Sequence, residues 1–149
     1  MSAKRYLTYD VLTAAKQRTA WTFDNFDRVY LSYSAGKDST VMLYLTADEA
    51  RRRGRRFGVM LIDLEGQYKL TIDHAHNQLA AVADVCDVYW VALPIALRNA
   101  VSVFEPKWKC WDTAATEAWI RTPPPEAIVD PTFFPFFTDG MEFEEFVPE

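Results

Sequence analysis

Three short apolar segments alternate with longer segments of helical periodicity, and this alternation limits the fold more than any other feature. The predicted strands are residues 28–34, 57–64 and 88–93. Each has the length and the β-branched or aromatic content typical of a buried strand. Because strands separated by helices form parallel sheets with right-handed crossovers, the sequence predicts an α/β fold with a mostly parallel sheet.

Helices are predicted before and between these strands. The opening helix is predicted over 8–21. A second helix is predicted to follow the loop at 34–40 and to end at Gly54, since glycine commonly follows the last turn of a helix. The three arginines before Gly54 suit this end, because the helix dipole is negative there. A third is predicted over 69–85, and after Pro94 the pattern weakens.

The length of 149 residues suits one domain. We assign 1–122 to an α/β domain and 123–149 to a C-terminal segment rich in proline and phenylalanine. An apolar segment of this kind needs a surface to cover. We expect it to pack on the domain or to belong to a further region.

Charge and cysteine content exclude several classes of protein. The net charge is −5, but 139–149 contain five acidic residues and no basic one, so the rest of the chain is neutral (−5 + 5 = 0). Nucleic acid is therefore weakly supported as a partner. Two cysteines exclude a disulfide scaffold, a four-cysteine zinc site and a cysteine-held iron–sulfur cluster within the chain.

Without a signal segment or a long apolar run, we expect a cytoplasmic protein (in the host cytoplasm if the source is viral) with no membrane partner. The oligomeric state is not indicated.

The chemistry-bearing residues follow the three predicted strands. Ligands of parallel sheets bind beyond the carboxyl ends of the strands. SAGKDST at 34–40 follows the first strand, 63–68 follow the second, and 94–99 follow the third. We expect these segments to meet at one edge of the sheet.

The loop at 34–40 has the composition of an anion site. Backbone amides at a helix N-terminus attract phosphate, and Lys37 adds positive charge. Ser34 and Ser39 offer hydroxyls, while Asp38 suits a Mg²⁺ ion that bridges it to phosphate. The alternative is a simple turn in which Asp38 or Ser39 caps the helix and Gly36 serves the geometry. The loop is not a P-loop, because Leu31 stands at the place of the first glycine.

SAGKDS resembles the SGGxDS pyrophosphate loop of the PP-loop, or N-type ATP pyrophosphatase, superfamily, with Ala35 in place of a glycine. SYSAGKDSTVMLYL, IDLEGQYKLTIDH, ALPIALRNAVSVFEPKWKCWD and WIRTPP resemble the phosphoadenosine phosphosulfate (PAPS) reductase-like family, in its immunoglobulin-binding regulator A-like branch. This resemblance spans about residues 9–147. It implies an adenine nucleotide alpha hydrolase-like fold, a three-layer αβα sandwich.

The resemblance further implies ATP or a related adenine nucleotide held with Mg²⁺, adenylation of an unknown acceptor, and release of pyrophosphate. Lys37 and Asp38 are the catalytic candidates, and Asp38 and Asp63 the Mg²⁺ candidates. The predicted nucleotide-binding residues are Ser34, Ala35, Gly36, Lys37, Asp38, Ser39, Thr40 and Asp63. The predicted substrate contacts are Glu65, Gln67, Arg98, Asn99 and Arg121.

Two other functions remain open. A non-catalytic nucleotide-binding or regulatory module would dock a partner protein through the C-terminal segment, and the family resemblance suggests a ParB-like nuclease. A sulfonucleotide reductase ranks lowest, because family reductases use a cysteine in a C-terminal segment. Cys86 and Cys110 lie in no such context, although the lysines near Cys110 favour a thiolate.

Several candidates have structural alternatives. Asp63, Glu65 and Gln67 are also compatible with a solvated loop, and Arg98 and Asn99 with a helix cap. Zinc binding by His74 and His76 is disfavoured, because residues two apart do not share a helix face. The arginine run at 51–56 is typical of a solvated helix end, or else of a nucleic-acid patch. The tryptophans at 108, 111 and 119 suit core packing, or stacking on a base.

Overall fold

The computed structural model describes residues 8–99, 101 and 103–148. The chain forms an α/β domain, with a small hairpin and a short helix after the main sheet. The elements in chain order are α1 Val11–Asn25, β1 Tyr30–Ser32, α2 Lys37–Arg53, β2 Phe57–Ile62, α3 Lys69–Ala80, β3 Cys86–Val91, β4 Ala96–Arg98, β5 Lys107–Lys109 and α4 Phe143–Phe146.

The main sheet has the order β1-β2-β3, and both strand pairs are parallel. The predicted parallel α/β fold is thus confirmed. β1 is shorter than its predicted span, and β3 begins and ends two residues earlier than predicted. The register explains the shift, because β3 pairs with all of β2, from Phe57 opposite Cys86 to Ile62 opposite Val91.

The helix ends follow local capping chemistry. α1 begins after Asp10, whose carboxylate accepts the backbone N–H of Thr13 at 2.7 Å, and continues past residue 21 to Asn25. α2 ends as predicted at Gly54, which adopts the left-handed conformation that glycine tolerates (φ 61°). α3 ends at Ala80, five residues before the predicted end, and a turn leads from it into β3.

The two faces of the sheet contribute to two apolar cores. Phe57, Val59 and Leu61 of β2 pack in one core with α1, α2 and α3. Met60 and Ile62 contribute to the other, which contains the residues after β3 and the phenylalanine-rich segment. This division follows from the alternation of side chains along a strand.

The residues after Pro94, for which no elements are predicted, form two attachments to the sheet. β4 and β5 make an antiparallel hairpin. Ile128 lies beside β3, donating its N–H to Trp90 at 2.7 Å and accepting the N–H of Ala92 at 3.0 Å. Phe146 of α4 is 2% exposed, so the C-terminal segment packs on the domain.

Within the described part of the chain, no helix has both the length and the apolar character needed to cross a membrane.

Candidate functional site

The loop between β1 and α2 presents an open helix N-terminus. Ala35 has a positive φ of 57°, and Gly36 is the N-cap residue with extended geometry and no side-chain cap. The first backbone bond of the helix runs from Thr40 N–H to Gly36 O at 3.0 Å. Among the described residues, the amides of Lys37, Asp38 and Ser39 have no acceptor, as expected for the first turn of a helix.

The hydroxyl groups hold the loop in shape without closing the helix end. Ser34 Oγ lies 3.1 Å from Ser39 Oγ, and the hydroxyls of Ser39 and Thr40 donate to Gly36 O at 3.0 and 2.8 Å. A Cβ at position 36 would lie 3.3 Å from Ser34 Oγ, so glycine relieves this contact. The alternative of a helix capped by Asp38 or Ser39 is wrong, because neither side chain accepts a first-turn amide.

Lys37 and Asp38 bring both charges of the loop to the surface. Lys37 Nζ lies 3.3 Å from Asp38 Oδ1, and the side chains are 88% and 92% exposed. No three His, Cys, Asp or Glu side chains of the described residues could hold a metal ion together. Mg²⁺ commonly binds through one or two carboxylates together with substrate phosphates, and Asp38 can supply such a carboxylate.

The first turns of α3 lie beside the loop and add residues that the sequence analysis did not place there, among them His74, which it considered only as a zinc ligand. Leu70, Thr71 and His74 line one shallow cleft with Lys37 and Thr40. His74 Nε2 lies 3.3 Å from Thr40 Oγ1. The predicted topology could have indicated these residues, since helices that follow parallel strands, such as α2 and α3, begin at the same edge of the sheet.

Asp63 lies at the end of β2, but its side chain is fully buried. Oδ1 accepts the N–H of Glu65 at 2.9 Å and pairs with Arg121, and Oδ2 accepts Trp90 Nε1–H at 2.8 Å. This arrangement argues against the predicted contacts of Asp63 with nucleotide and Mg²⁺, because the protein itself occupies the carboxylate. Asp63 instead anchors the loop that follows β2.

Glu65 and Arg121 belong to the same buried network. The Glu65 carboxylate accepts the backbone N–H groups of Trp111 and Ile120 at 2.6 and 2.8 Å. Arg121 Nε donates to Glu65 O at 3.1 Å, and the guanidinium lies 5.0 Å from the centre of the Trp111 ring. Their predicted substrate contacts are therefore replaced by contacts within the protein, and the solvated-loop alternative is wrong for both Asp63 and Glu65.

The other predicted substrate residues lie in different surroundings. Gln67 is half-buried, and its Oε1 is buried with no hydrogen-bond partner among the described residues. Arg98 ends β4, and the backbone N–H of Asn99 donates to Pro106 O of the hairpin at 2.8 Å. Their alternative as a helix cap is wrong, since they lie in a hairpin. No hydrogen bond or ion pair within the described chain joins Arg98 or Asn99 to the loop at 34–40.

The arginines at 51–56 form ion pairs and hydrogen bonds with other parts of the chain, so the run is neither simply solvated nor a free basic patch. Arg51 pairs with Asp84 at 2.8 Å, and Arg56 pairs with Asp87 at 2.8 Å. Arg55 donates to the backbone oxygens of residues 23, 26 and 27. Little of this positive charge remains for nucleic acid.

Trp111 and Trp119 meet edge to face at 5.4 Å between ring centres, which fits the packing interpretation rather than an exposed stacking surface.

Burial raises the pKa of the Cys110 thiol to about 11 and also raises the pKa of Cys86. Both thiols are therefore protonated and inaccessible at neutral pH.

Comparison with known proteins adds one relative. No protein-family profile matches the sequence. Over 144 residues, which is 96% of its length, the chain is 43% identical to "Uncharacterized protein YbdN" of Escherichia coli (strain K12). The match covers 35% of that protein, so the chain spans about a third of the relative's length. In that relative the matched region is therefore part of a longer polypeptide, and the similarity assigns no activity.

Proposed function

We propose that this chain is a PP-loop-type domain that binds ATP or a related adenine nucleotide with Mg²⁺. The observation that carries the proposal is the open N-terminus of α2, where the amides of residues 37–39, which have no acceptor in the described part of the chain, lie beside the exposed Lys37 and Asp38. Such a terminus favours phosphate through its amides and its dipole. The PAPS reductase-like resemblance of the same loop supports an adenine nucleotide over other phosphates.

The reaction proposed for the site is adenylation. An acceptor oxygen attacks the α-phosphorus of ATP, the bond from that phosphorus to the bridging oxygen breaks, and pyrophosphate leaves with the electron pair. The chain contributes positioning and charge stabilisation. The loop amides and Lys37 bind the phosphates, and the hydroxyls of Ser34 and Ser39 add hydrogen bonds. Asp38 would hold Mg²⁺, which neutralises phosphate charge.

The proposal includes the three-layer αβα architecture and a cytoplasmic location. α1, α2 and α3 supply one outer layer. The opposite face of the sheet carries the phenylalanine-rich segment and α4, and Tyr30 and Tyr89 remain 58% and 39% exposed there. This incomplete cover is compatible with a further layer on that face.

The test is calorimetric titration of the purified chain with ATP, with and without Mg²⁺, and with PAPS as competitor. We expect Mg²⁺-dependent ATP binding that weakens at least about tenfold, or about 1.4 kcal/mol, in Asp38→Ala, because the variant removes the carboxylate that would hold Mg²⁺ beside the phosphates. Asp48→Ala is the matched control, since Asp48 is an exposed carboxylate on the same helix.

Equal affinity of Asp38→Ala and wild type would remove Asp38 from the site. Absence of ATP binding by the folded wild type would overturn the proposal, and preference for PAPS would redirect it to sulfonucleotide chemistry. Thiol-based reduction is disfavoured by the buried Cys110. Docking of a partner through the C-terminal segment is disfavoured because Phe146 is already buried in the domain.

A further inference from the structure

His74 of α3 belongs to a chain of hydrogen bonds that reaches the loop at 34–40. Its Nε2 atom lies 3.3 Å from Thr40 Oγ1, in the first turn of α2. Thr40 Oγ1 also lies 3.3 Å from the hydroxyl of Tyr33, which is buried directly after β1. The three side chains therefore connect α3 with α2 and with the strand that precedes the loop.

The donors and acceptors in this chain determine the tautomer of neutral His74. The Thr40 hydroxyl donates to Gly36 O at 2.8 Å, which is shorter than its contacts with Tyr33 and His74. Thr40 Oγ1 then accepts the other two hydrogen bonds. Tyr33 is one donor, because burial raises the pKa of its hydroxyl and keeps it protonated. His74 Nε2–H is the other donor, so Nδ1 of the neutral ring is unprotonated.

The Nδ1 atom of His74 is available to a ligand. It makes no hydrogen bond or ion pair with any residue that the structure describes. The ring lines a cleft of about 580 Å³ together with Lys37, Thr40, Leu70 and Thr71. Protonation of Nδ1 turns the imidazole into a cation and keeps the hydrogen bond to Thr40, because Nε2–H is present in both forms.

The charged side chains closest to His74 in the fold and in the sequence pair with one another. Lys37 Nζ lies 3.3 Å from Asp38 Oδ1 on α2, and Lys69 Nζ lies 2.5 Å from Asp73 Oδ2 on α3. No carboxylate in the described part of the chain forms an ion pair with His74. The positive charge of a protonated His74 is therefore left to be balanced by a bound anion.

We propose that His74 is a proton-linked ligand of the phosphate groups that bind at the loop. When phosphate binds, His74 takes up a proton from solvent at Nδ1, and the new N–H donates to a phosphate oxygen. The affinity of the site for phosphates therefore increases as the pH falls. This inference rests on the proposed function, because the phosphates are those of the proposed nucleotide.

The two histidines of the chain provide a matched pair of variants. His74→Gln keeps an N–H group that can donate to Thr40, but its amide cannot become a cation. His76→Gln is the control, because His76 lies on the same helix and its Nδ1 is 3.1 Å from Glu126 Oε1 instead. Circular dichroism checks that both variants fold.

The first measurement is calorimetric titration of the 149-residue chain at pH 6 and pH 8. The ligands are inorganic pyrophosphate, and ATP with Mg²⁺. We expect His74→Gln to bind both at least about tenfold more weakly than wild type at pH 6, as for loss of a hydrogen bond between two charged groups. At pH 8 the difference should be less than about threefold, because imidazole is mostly neutral there. His76→Gln should match wild type at both pH values.

The second measurement needs no variant. Nitrogen-15 NMR of the wild-type imidazoles distinguishes the two neutral tautomers from the imidazolium. We expect neutral His74 to be the Nε2–H tautomer at pH 8. Addition of pyrophosphate at pH 7.5 should increase the protonated fraction of His74 and leave that of His76 unchanged.

Two results would overturn the inference and leave the proposed function intact. One is that ATP binds while His74 stays neutral in the saturated complex. The other is that His74→Gln weakens binding by the same factor at both pH values, since a structural role in holding Thr40 has that effect. If the folded wild type bound neither ATP nor pyrophosphate, the inference and the proposed function would both be wrong.

Discussion

At the residue scale, Ala35 carries the left-handed conformation of the candidate phosphate loop. Its φ is 57°, and it is 8% exposed. Alanine tolerates this region at a cost of about 1–2 kcal/mol, whereas glycine adopts it freely. Ala35 stands where the SGGxDS motif has a glycine, and its left-handed backbone conformation is one that glycine adopts more easily than alanine does.

We predict that two substitutions at this position change the stability by different amounts. Ala35→Gly should leave the free energy of unfolding within about 1 kcal/mol of wild type, because relief of the left-handed strain offsets the greater entropy of the unfolded chain. Ala35→Val should cost about 1–3 kcal/mol, because a β-branched side chain at positive φ clashes with the backbone. Urea denaturation measures both, and equal stability of the two variants would contradict this reading of the loop.

At the element scale, the C-terminal end of α2 is tied to its neighbours by charge. Glu49 accepts hydrogen bonds from Arg52 and from Arg53, and Arg53 also pairs with Asp24 next to the end of α1 at 2.6 Å. Hydrogen bonds from Arg52 and Arg53 hold the pKa of Glu49 down at about 2. The arginine run therefore fixes the helix end to α1.

This arrangement predicts a dependence of stability on acid. Because the folded pKa of Glu49 lies below its ordinary value of 4.5, its contribution is complete above about pH 4.5 and is lost as the pH falls towards 2. Glu49→Gln should lower stability at pH 7 and flatten the decline between pH 4.5 and 2. Thermal melting across this range provides the measurement, and an unchanged slope in the variant would refute the assignment.

At the scale of the whole molecule, one buried network joins parts of the chain that are far apart in sequence. Asp63 after β2 binds Trp90 of β3 and Arg121, which follows the hairpin. Glu65 binds the backbone of Trp111 and Ile120. The residues after the hairpin are thus held on the sheet by two carboxylates as well as by apolar packing.

We predict that Asp63→Asn destabilises the fold by about 3–5 kcal/mol, because it leaves the Arg121 charge without its buried partner. Asp73→Asn is the matched control, since the Asp73 pair with Lys69 is exposed on α3 and should contribute less than about 1 kcal/mol. Both values come from urea denaturation. If Asp63→Asn cost no more than the control, Asp63 would not be an anchor and its role at the site would need to be reconsidered.

The sequence by itself determined the elements whose signals are local. Helical and strand periodicity predicted three helices and three parallel strands, and Gly54 marked the end of α2. The loop at 34–40 was placed correctly at the end of β1, because a short apolar strand, turn residues and a helical pattern follow one another directly in the sequence. Capping and pairing decided the element ends, which is why α3 stops earlier than its periodicity suggests.

Only the tertiary structure decided which polar residues face solvent and which face each other. Asp63, Glu65 and Arg121 had the composition of a ligand site, yet partners more than 40 residues away bury or engage them. Three arginines of the run, Arg51, Arg53 and Arg56, likewise pair with acids outside α2. A charged side chain is neutralised by whichever group the fold brings within a few ångströms, and the distance along the chain does not reveal that group.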